Sequence, residues 1–156
     1  MIIGVISDTH RYNWVIEEAV KNMGDVDIII HLGDNVQDVE EIAKYFKGKI
    51  INVRGNCDTS KAAPVELVEM IEGKKFLITH GHRYDVKNTL TRLKLRAMEA
   101  GADVVLFGHT HASGIACEDG IWFVNPGSPS VPRNGFFSVA VIKLDGDDIK
   151  ASIIEL

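Results

Sequence analysis

Hydrophobic positions along this 156-residue chain fall into short unbroken runs that alternate with helical stripes. Ile2 to Ile6 is the first run, and its length suits a strand buried on both faces. Val15, Ile16, Ala19, Val20 and Met23 then share one face at helical spacing, with Gly24 as the stop. The cycle repeats with a strand at Ile28 to Ile30 and a helix carrying Val39, Ile42, Ala43 and Phe46 that ends at Gly48. Ile50 to Val53 predicts a third strand. After Pro64, Val65 to Ile71 and Phe76 to Thr79 flank a Glu-Gly-Lys turn and predict a hairpin. Asp85 can cap a third helix through Val86, Leu90, Leu93 and Ala97 that stops at Gly101, followed by a strand at Val104 to Phe107. In the last third, strand-like runs at 115–117, 121–124, 136–142 and 149–154 are separated by turn signals such as Glu118-Asp119-Gly120. Alternating βα units followed by hairpins predict a mixed α/β fold: a largely parallel sheet with helices, packed on a second, more antiparallel sheet.

Composition narrows this picture. With 46% hydrophobic and 25% charged residues, the chain matches a globular protein that forms one domain over residues 1–156. MIIGVISDTH lacks the basic segment and cleavage site of a signal peptide, and no apolar run is long enough for a membrane helix. Cys57 and Cys117 form no metal or redox motif, so a reduced, cytoplasmic setting is expected. A net charge of −5 argues against broad nucleic-acid binding. It leaves room for a small phosphorylated substrate, since a bound cation can supply the local positive charge.

The chemistry sits where the apolar runs stop. Five of them end in Asp8/His10, Asp34, Asn56, His80 and His109/His111. Strands of one sheet that point the same way bring their carboxyl ends together, where open α/β sheets place ligands. Seven oxygen and nitrogen ligand candidates then converge in one crevice, a count that suits two ions sharing a carboxylate better than one. Cysteine is not needed in the set, which points to manganese, iron, magnesium or zinc rather than a structural thiolate site. Gly33, Gly55, Gly81 and Gly108 lie beside these residues, where the chain must turn sharply. Any one cluster is equally well a surface loop; five in succession are not.

Asp8-x-His10, Gly33-Asp34, Gly55-Asn56-x-Asp58, His80 and Gly108-His109-x-His111 resemble, in order, the motif set of calcineurin-like metallophosphoesterases. The short chain and Asn125-Pro126-Gly127-Ser128 are most similar to the small YfcE-like phosphodiesterase branch. The resemblance implies a four-layer α/β/β/α sandwich of two mixed sheets with a dinuclear centre of divalent ions, manganese first, then nickel, zinc, iron or magnesium. One ion would take Asp8, His10, Asp34 and His111. The other would take Asp34, Asn56, His80 and His109. The implied reaction is hydrolysis of a small phosphodiester by in-line attack of a hydroxide held between the ions. A phosphomonoesterase, or a non-catalytic scaffold like the retromer subunit of this fold, is the alternative. The resemblance also carries a homodimer as its oligomeric expectation.

One motif departs from the pattern. The family usually places histidine before the acid of Gly-Asn-x-Asp, as a pair that assists the leaving group; here the position is Cys57, followed by Asp58. A thiol is a poor mimic of imidazolium. Cys57 and Asp58 are therefore candidate catalytic residues beside Asn56, against the plainer reading of Cys57 as a small half-buried side chain, and turnover is expected to be low. His31 is expected to be structural, His82 to lie near substrate phosphate or cap the next helix, and Arg11, Arg54 and Arg83 to be surface charges. Trp14 and Trp122 are expected in packing or interfaces, and Cys117 in the core. Asn125 to Ser128 is a turn that could line the substrate side.

Overall fold

A computed structural model describes residues 1–156, apart from the side chain of Asn13. The chain runs β1 (Ile2–Ile6), α1 (Asn13–Met23), β2 (Ile28–His31), α2 (Asp38–Tyr45), β3 (Lys49–Asn52), β4 (Glu66–Ile71) and β5 (Lys74–Thr79). It continues through α3 (Thr91–Ala100), β6 (Val104–Leu106), β7 (Gly114–Glu118), β8 (Ile121–Asn125), β9 (Ser138–Asp145) and β10 (Asp148–Glu155). Two five-stranded sheets result, ordered β10-β9-β1-β2-β3 and β4-β5-β6-β8-β7.

Each sheet is mixed, as the family resemblance implies, so the split into a largely parallel and a more antiparallel sheet read from the hydrophobic pattern does not hold. In the first, β1, β2 and β3 are parallel, while β9 and β10 are antiparallel additions. In the second, β5, β6 and β8 are parallel, with β4 and β7 antiparallel at the edges. The reason is local. The hairpins β4–β5, β7–β8 and β9–β10 add their edge strands antiparallel, whereas the connections through α1, α2 and α3 let β1, β2 and β3, and β5 and β6, run parallel.

Three hydrophobic clusters define four layers. Ile3, Val5, Ile30, Phe76, Ile78, Val104 and Leu106 meet between the sheets. Ile6, Ile29, Ile16, Ala19 and Ile42 lie between the first sheet and helices α1 and α2. Leu77, Val105, Leu93, Ala97 and Phe123 lie between the second sheet and α3. Alternate residues of one strand thus enter different clusters, as with Ile29 against Ile30 or Leu77 against Ile78. Burial on both faces explains why these strands are apolar throughout instead of alternating.

Some boundaries differ from the sequence expectation. Asp85 does not cap the third helix: it takes left-handed backbone (φ 56°) after a 3-10 turn at His82–Tyr84, and α3 begins at Thr91. The Asp85 carbonyl and carboxylate instead accept hydrogen bonds from the Asn88 and Thr89 amides and the Asn88 side chain. Helix α2 ends at Tyr45, before Gly48, and the strand expected from 136 starts at Ser138. No described helix is long and apolar enough to cross a membrane.

Candidate metal centre

The five ligand-bearing strand ends belong to two sheets, not one. β1, β2 and β3 deliver Asp8, His10, Asp34 and Asn56 from the first sheet; β5 and β6 deliver His80, His109 and His111 from the second. The crevice therefore lies between the carboxyl ends of both parallel trios. Two clusters form there: Asp8, His10, Asp34 and His111, and then Asp34, His80 and His109, the ligand-type atoms of each lying within 4.8 Å of one another. Asp34 is common to both. Its Oδ2 lies 4.0 Å from His10 Nε2, and its Oδ1 lies 3.4 Å from His80 Nε2.

The protons of two imidazoles are committed elsewhere. His111 Nδ1 is 2.8 Å from the Val131 carbonyl, and His80 Nδ1 is 2.9 Å from the Leu32 carbonyl. A carbonyl only accepts, so both Nδ1 atoms donate, and in the neutral ring both Nε2 atoms turn lone pairs into the crevice. His111 Nε2 faces Asp8 Oδ1 at 3.1 Å and His10 Nε2 at 3.3 Å. His80 Nε2 and Asp8 Oδ1 are buried without hydrogen-bond partners. Buried lone pairs facing one another are stable only around a positive charge, so this donor set fits a cation.

The titration directions tell the same story. Burial pushes the Asp8 carboxyl up, yet His111 at 3.1 Å, the charge of His80 and the Ser7 hydroxyl together hold it below its ordinary value. Burial likewise opposes ionisation of Asp34, and His80 at 3.4 Å, with the Cys57 amide, overrides it downward. For His80, Asp34 and Asp8 outweigh burial and raise the imidazole, while Asp8 raises His111. Burial, then the charge of His80, lowers His109 to about 4.

The backbone is strained at these residues. Asp8, His10, Asp34, His109 and His111 all have φ between 48° and 68°, in the left-handed region. Such a conformation costs an L-residue roughly 1–2 kcal/mol and persists only where its surroundings enforce it. The enforcing groups are visible. Ser7 Oγ (2.6 Å) and the His109 amide (3.1 Å) both donate to Asp8 Oδ2, which leaves Oδ1 for the crevice. Ser128 Oγ and Ser130 Oγ donate to the Asp8 carbonyl at 2.8 and 3.0 Å. Asn125 Nδ2 bonds Gly108 O and Thr110 Oγ1. The segment 125–128 is thus a buried brace for Asp8 and the GHTH loop, not a wall of the substrate side.

Glycine matters here in two ways. Gly33 and Gly81 take positive φ, as a sharp turn requires. Gly55 and Gly108 serve close approach instead: a Cβ would lie 2.1 Å from Asp34 Oδ1 at Gly55 and 2.1 Å from Ser7 Oγ at Gly108.

Asp58 and Cys57 are brought near Asp34, in unlike ways. Asp58 Oδ1 accepts from the amides of Asn35 (2.9 Å) and Val36 (2.8 Å), and Oδ2 from those of Asp34 (3.0 Å) and Gly55 (2.7 Å). Its carboxylate binds the β2 and β3 loops together. The Cys57 amide donates to Asp34 Oδ1 at 2.9 Å, and its side chain is exposed rather than half-buried. Desolvation, then the hydrogen bond to Asp34, pushes the thiol up to about 11. Asn56 is exposed, with Nδ2 3.5 Å from Cys57 Sγ.

His31 is structural: buried at the end of β2, it accepts the Gly33 amide at Nδ1 and meets Thr9 Oγ1 at 3.1 Å through Nε2. His82 is half-buried beside His80 and His109, with ring centroids 5.4 and 6.1 Å away, and its Nδ1 has no partner. Arg11 is tied to Asn35 (3.1 Å) and Gln37 (3.4 Å). Arg83 is exposed and Arg54 intermediate. Trp122 packs against the inter-sheet core, whereas Trp14 is 68% exposed. Cys117, expected in the core, is exposed because β7 is an edge strand. Sequence reasoning missed the supports: Ser7, Ser128, Ser130 and the Leu32 and Val131 carbonyls carry no spacing signal.

Two sheets delivering carboxylates and imidazoles into one crevice define a metal-binding α/β/β/α sandwich of the phosphoesterase type. Residues 1–147 match the calcineurin-like phosphoesterase superfamily domain, and the chain belongs to that superfamily of metallophosphoesterases. It is 35% identical to a probable metallophosphoesterase of Bacillus subtilis, YsnB, over 94% of this chain and 86% of that one. It is 27% identical to a phosphodiesterase of Methanocaldococcus jannaschii, over 99% and 100% of the two chains. A predicted phosphoesterase of Streptococcus pneumoniae of known structure superposes with a TM-score of 0.83 at 31% identity, over 99% of this chain and 88% of that one.

Proposed function

We propose that this metallophosphoesterase is a phosphodiesterase that works with two divalent ions, manganese foremost, on a small diester. The observation that carries the two-ion reading is Asp34, whose two oxygens face different histidine sets. Asp8, His10, Asp34 and His111 would hold one ion, and Asp34, Asn56, His80 and His109 the other. Divalent ions there supply Lewis acidity toward a phosphoryl group and make a nearby water acidic.

The chain's own residues do the rest. The Val131 and Leu32 carbonyls fix the tautomers of His111 and His80. Asn56 would offer a cation its side-chain oxygen, adding no charge. Cys57 stays a neutral thiol, and Asp58 has both oxygens occupied by backbone amides, so neither is suited to protonate a departing alkoxide. Esters with good leaving groups, such as aryl diesters, are therefore the expected substrates. The diester preference is supported by the Methanocaldococcus phosphodiesterase being similar across both chains.

The test is to strip the protein of metal and restore Mn²⁺, Ni²⁺, Zn²⁺ or Mg²⁺ singly, then compare bis-aryl with mono-aryl phosphate hydrolysis. Diester turnover with a stoichiometry of two ions is expected. Preference for the monoester would overturn the diesterase reading. Two bound ions without turnover would favour a scaffold.

A further inference from the structure

The four strands at the sheet edges are not equally protected. β10 carries Asp148, Lys150 and Glu155, β4 carries Glu66 and Glu69, and β3 opens with Lys49. Such charges discourage pairing with another chain. β7 reads Gly-Ile-Ala-Cys-Glu, every residue of it exposed, and its one charge, Glu118, is engaged by Lys94 at 3.1 Å.

The hairpin fixes which backbone groups of β7 are free. Asp119 and Gly120 both have positive φ (51° and 77°), the two-residue turn of a tight hairpin closed by Glu118 and Ile121. The closing pair of such a turn is hydrogen-bonded, so Glu118, Ala116 and Gly114 spend their backbone groups on β8. Ile115 and Cys117 therefore point their N–H and C=O groups outward, and among the described residues none of these four groups has a partner. Beside the strand, Leu90, Ile115, Ala116, Phe107 and Phe123 line an apolar groove of about 350 Å³. Leu95 and Met98 on the adjoining face of α3 are 62% and 57% exposed.

We propose that β7 is a self-pairing edge: two copies of this chain join antiparallel through β7 about a two-fold axis at Ala116. Between two copies related by a two-fold axis, only an antiparallel pairing matches the outward groups of one β7 to those of the other. With Ala116 opposite Ala116 of the second copy, Ile115 lies opposite Cys117 as a hydrogen-bonded pair on each side of the axis. Four backbone hydrogen bonds form, and the smallest side chain of the central three stands at the closest approach. The two sheets become one ten-stranded sheet across the axis. The exposed α3 residues of both copies then border the junction from the same face, adding apolar cover to the strand pairing.

The register makes a sharp test at one exposed position. Cα atoms of a non-hydrogen-bonded antiparallel pair lie about 4.5 Å apart, within disulfide range, so Ala116→Cys should cross-link through residue 116 on mild oxidation. The native Cys117 pair would be offset diagonally by roughly 8 Å, too far to bridge. Ala116→Lys places like charges face to face and should weaken self-association at least tenfold in sedimentation equilibrium. Circular dichroism of both variants checks that the fold is kept. The expected result is a wild-type dimer, a 116–116 disulfide by mass spectrometry and a Lys variant that dissociates. A wild-type monomer at 100 µM, a dimer indifferent to Lys at 116, or a cross-link through Cys117 instead would overturn the proposal. A monomer that pairs only with an added extended peptide would overturn it too, by giving the edge a different partner.

Discussion

Asp58 stands next to Cys57, and the two side chains serve the crevice in different ways. Asp58 has no oxygen left for proton transfer, because four amides from two loops converge on it. Hydrogen bonds to a charged group are each worth about 1.5–3 kcal/mol, and Asp58→Asn replaces one acceptor with a donor facing amide N–H groups. The expected loss is on the order of 3 kcal/mol in stability, with metal affinity lower by at least tenfold, since the Asp34 loop is what comes loose. Urea denaturation and calorimetric metal titration would check both; unchanged metal affinity would show that the loop holds without the clamp. Cys57 behaves otherwise. Its thiol, pushed up to about 11, is protonated at neutral pH, too weak an acid to contribute much. Cys57→Ala should therefore keep its metal content and turn over aryl diesters within about threefold of wild type. Loss of activity at full metal occupancy would assign the thiol a catalytic part.

At the scale of elements, the site depends on how strand ends are tied to one another. His31 ends β2 and binds Thr9, beyond β1, as well as the Gly33 amide. Burial pushes its imidazole down to about 4, so it stays neutral in the fold, while in the unfolded chain it takes a proton below its ordinary value of 6.5. Its contribution to stability is therefore complete above about pH 6.5 and is lost as the pH falls from there to about 4. Over that window the linkage amounts to on the order of 3 kcal/mol. His31→Gln can replace the same hydrogen bonds without titrating. The pH dependence of its denaturation midpoint should be flatter than that of wild type between pH 6.5 and 4. Parallel curves for the two proteins would mean that His31 does not set this slope. The β8 end shows the same logic in another form, where Asn125 and Ser128 brace the GHTH loop and the Asp8 carbonyl.

For the molecule as a whole, a crevice rich in buried lone pairs and left-handed residues is costly when no cation balances it. Metal binding to the folded chain alone should stabilise it by about 4 kcal/mol at a thousandfold excess over the dissociation constant. For a chain of this length that corresponds to a rise in Tm on the order of 10 °C, which chelation should reverse. Calorimetric scans of the stripped and reloaded protein would measure it. Equal melting temperatures would mean that the crevice does not bind the added ion in the folded state.

Much of this was legible in the sequence. Strands buried on both faces must be apolar throughout, so Ile2–Ile6, Ile28–Ile30 and Val104–Phe107 announced themselves as runs. The polar residues ending those runs had to lie at strand ends, and their order matched one family's motifs. The tertiary structure decided what local pattern does not encode. It divided the strand ends between two sheets, turned five of the candidate ligands into left-handed backbone, and aimed the His80 and His111 lone pairs inward through carbonyls 48 and 20 residues away. It also made Asp58 a clamp and put Cys117 on an open edge. Side-chain periodicity records only which face is buried. Which atom a lone pair meets depends on contacts between residues far apart in the chain, and those exist only once the two sheets have packed.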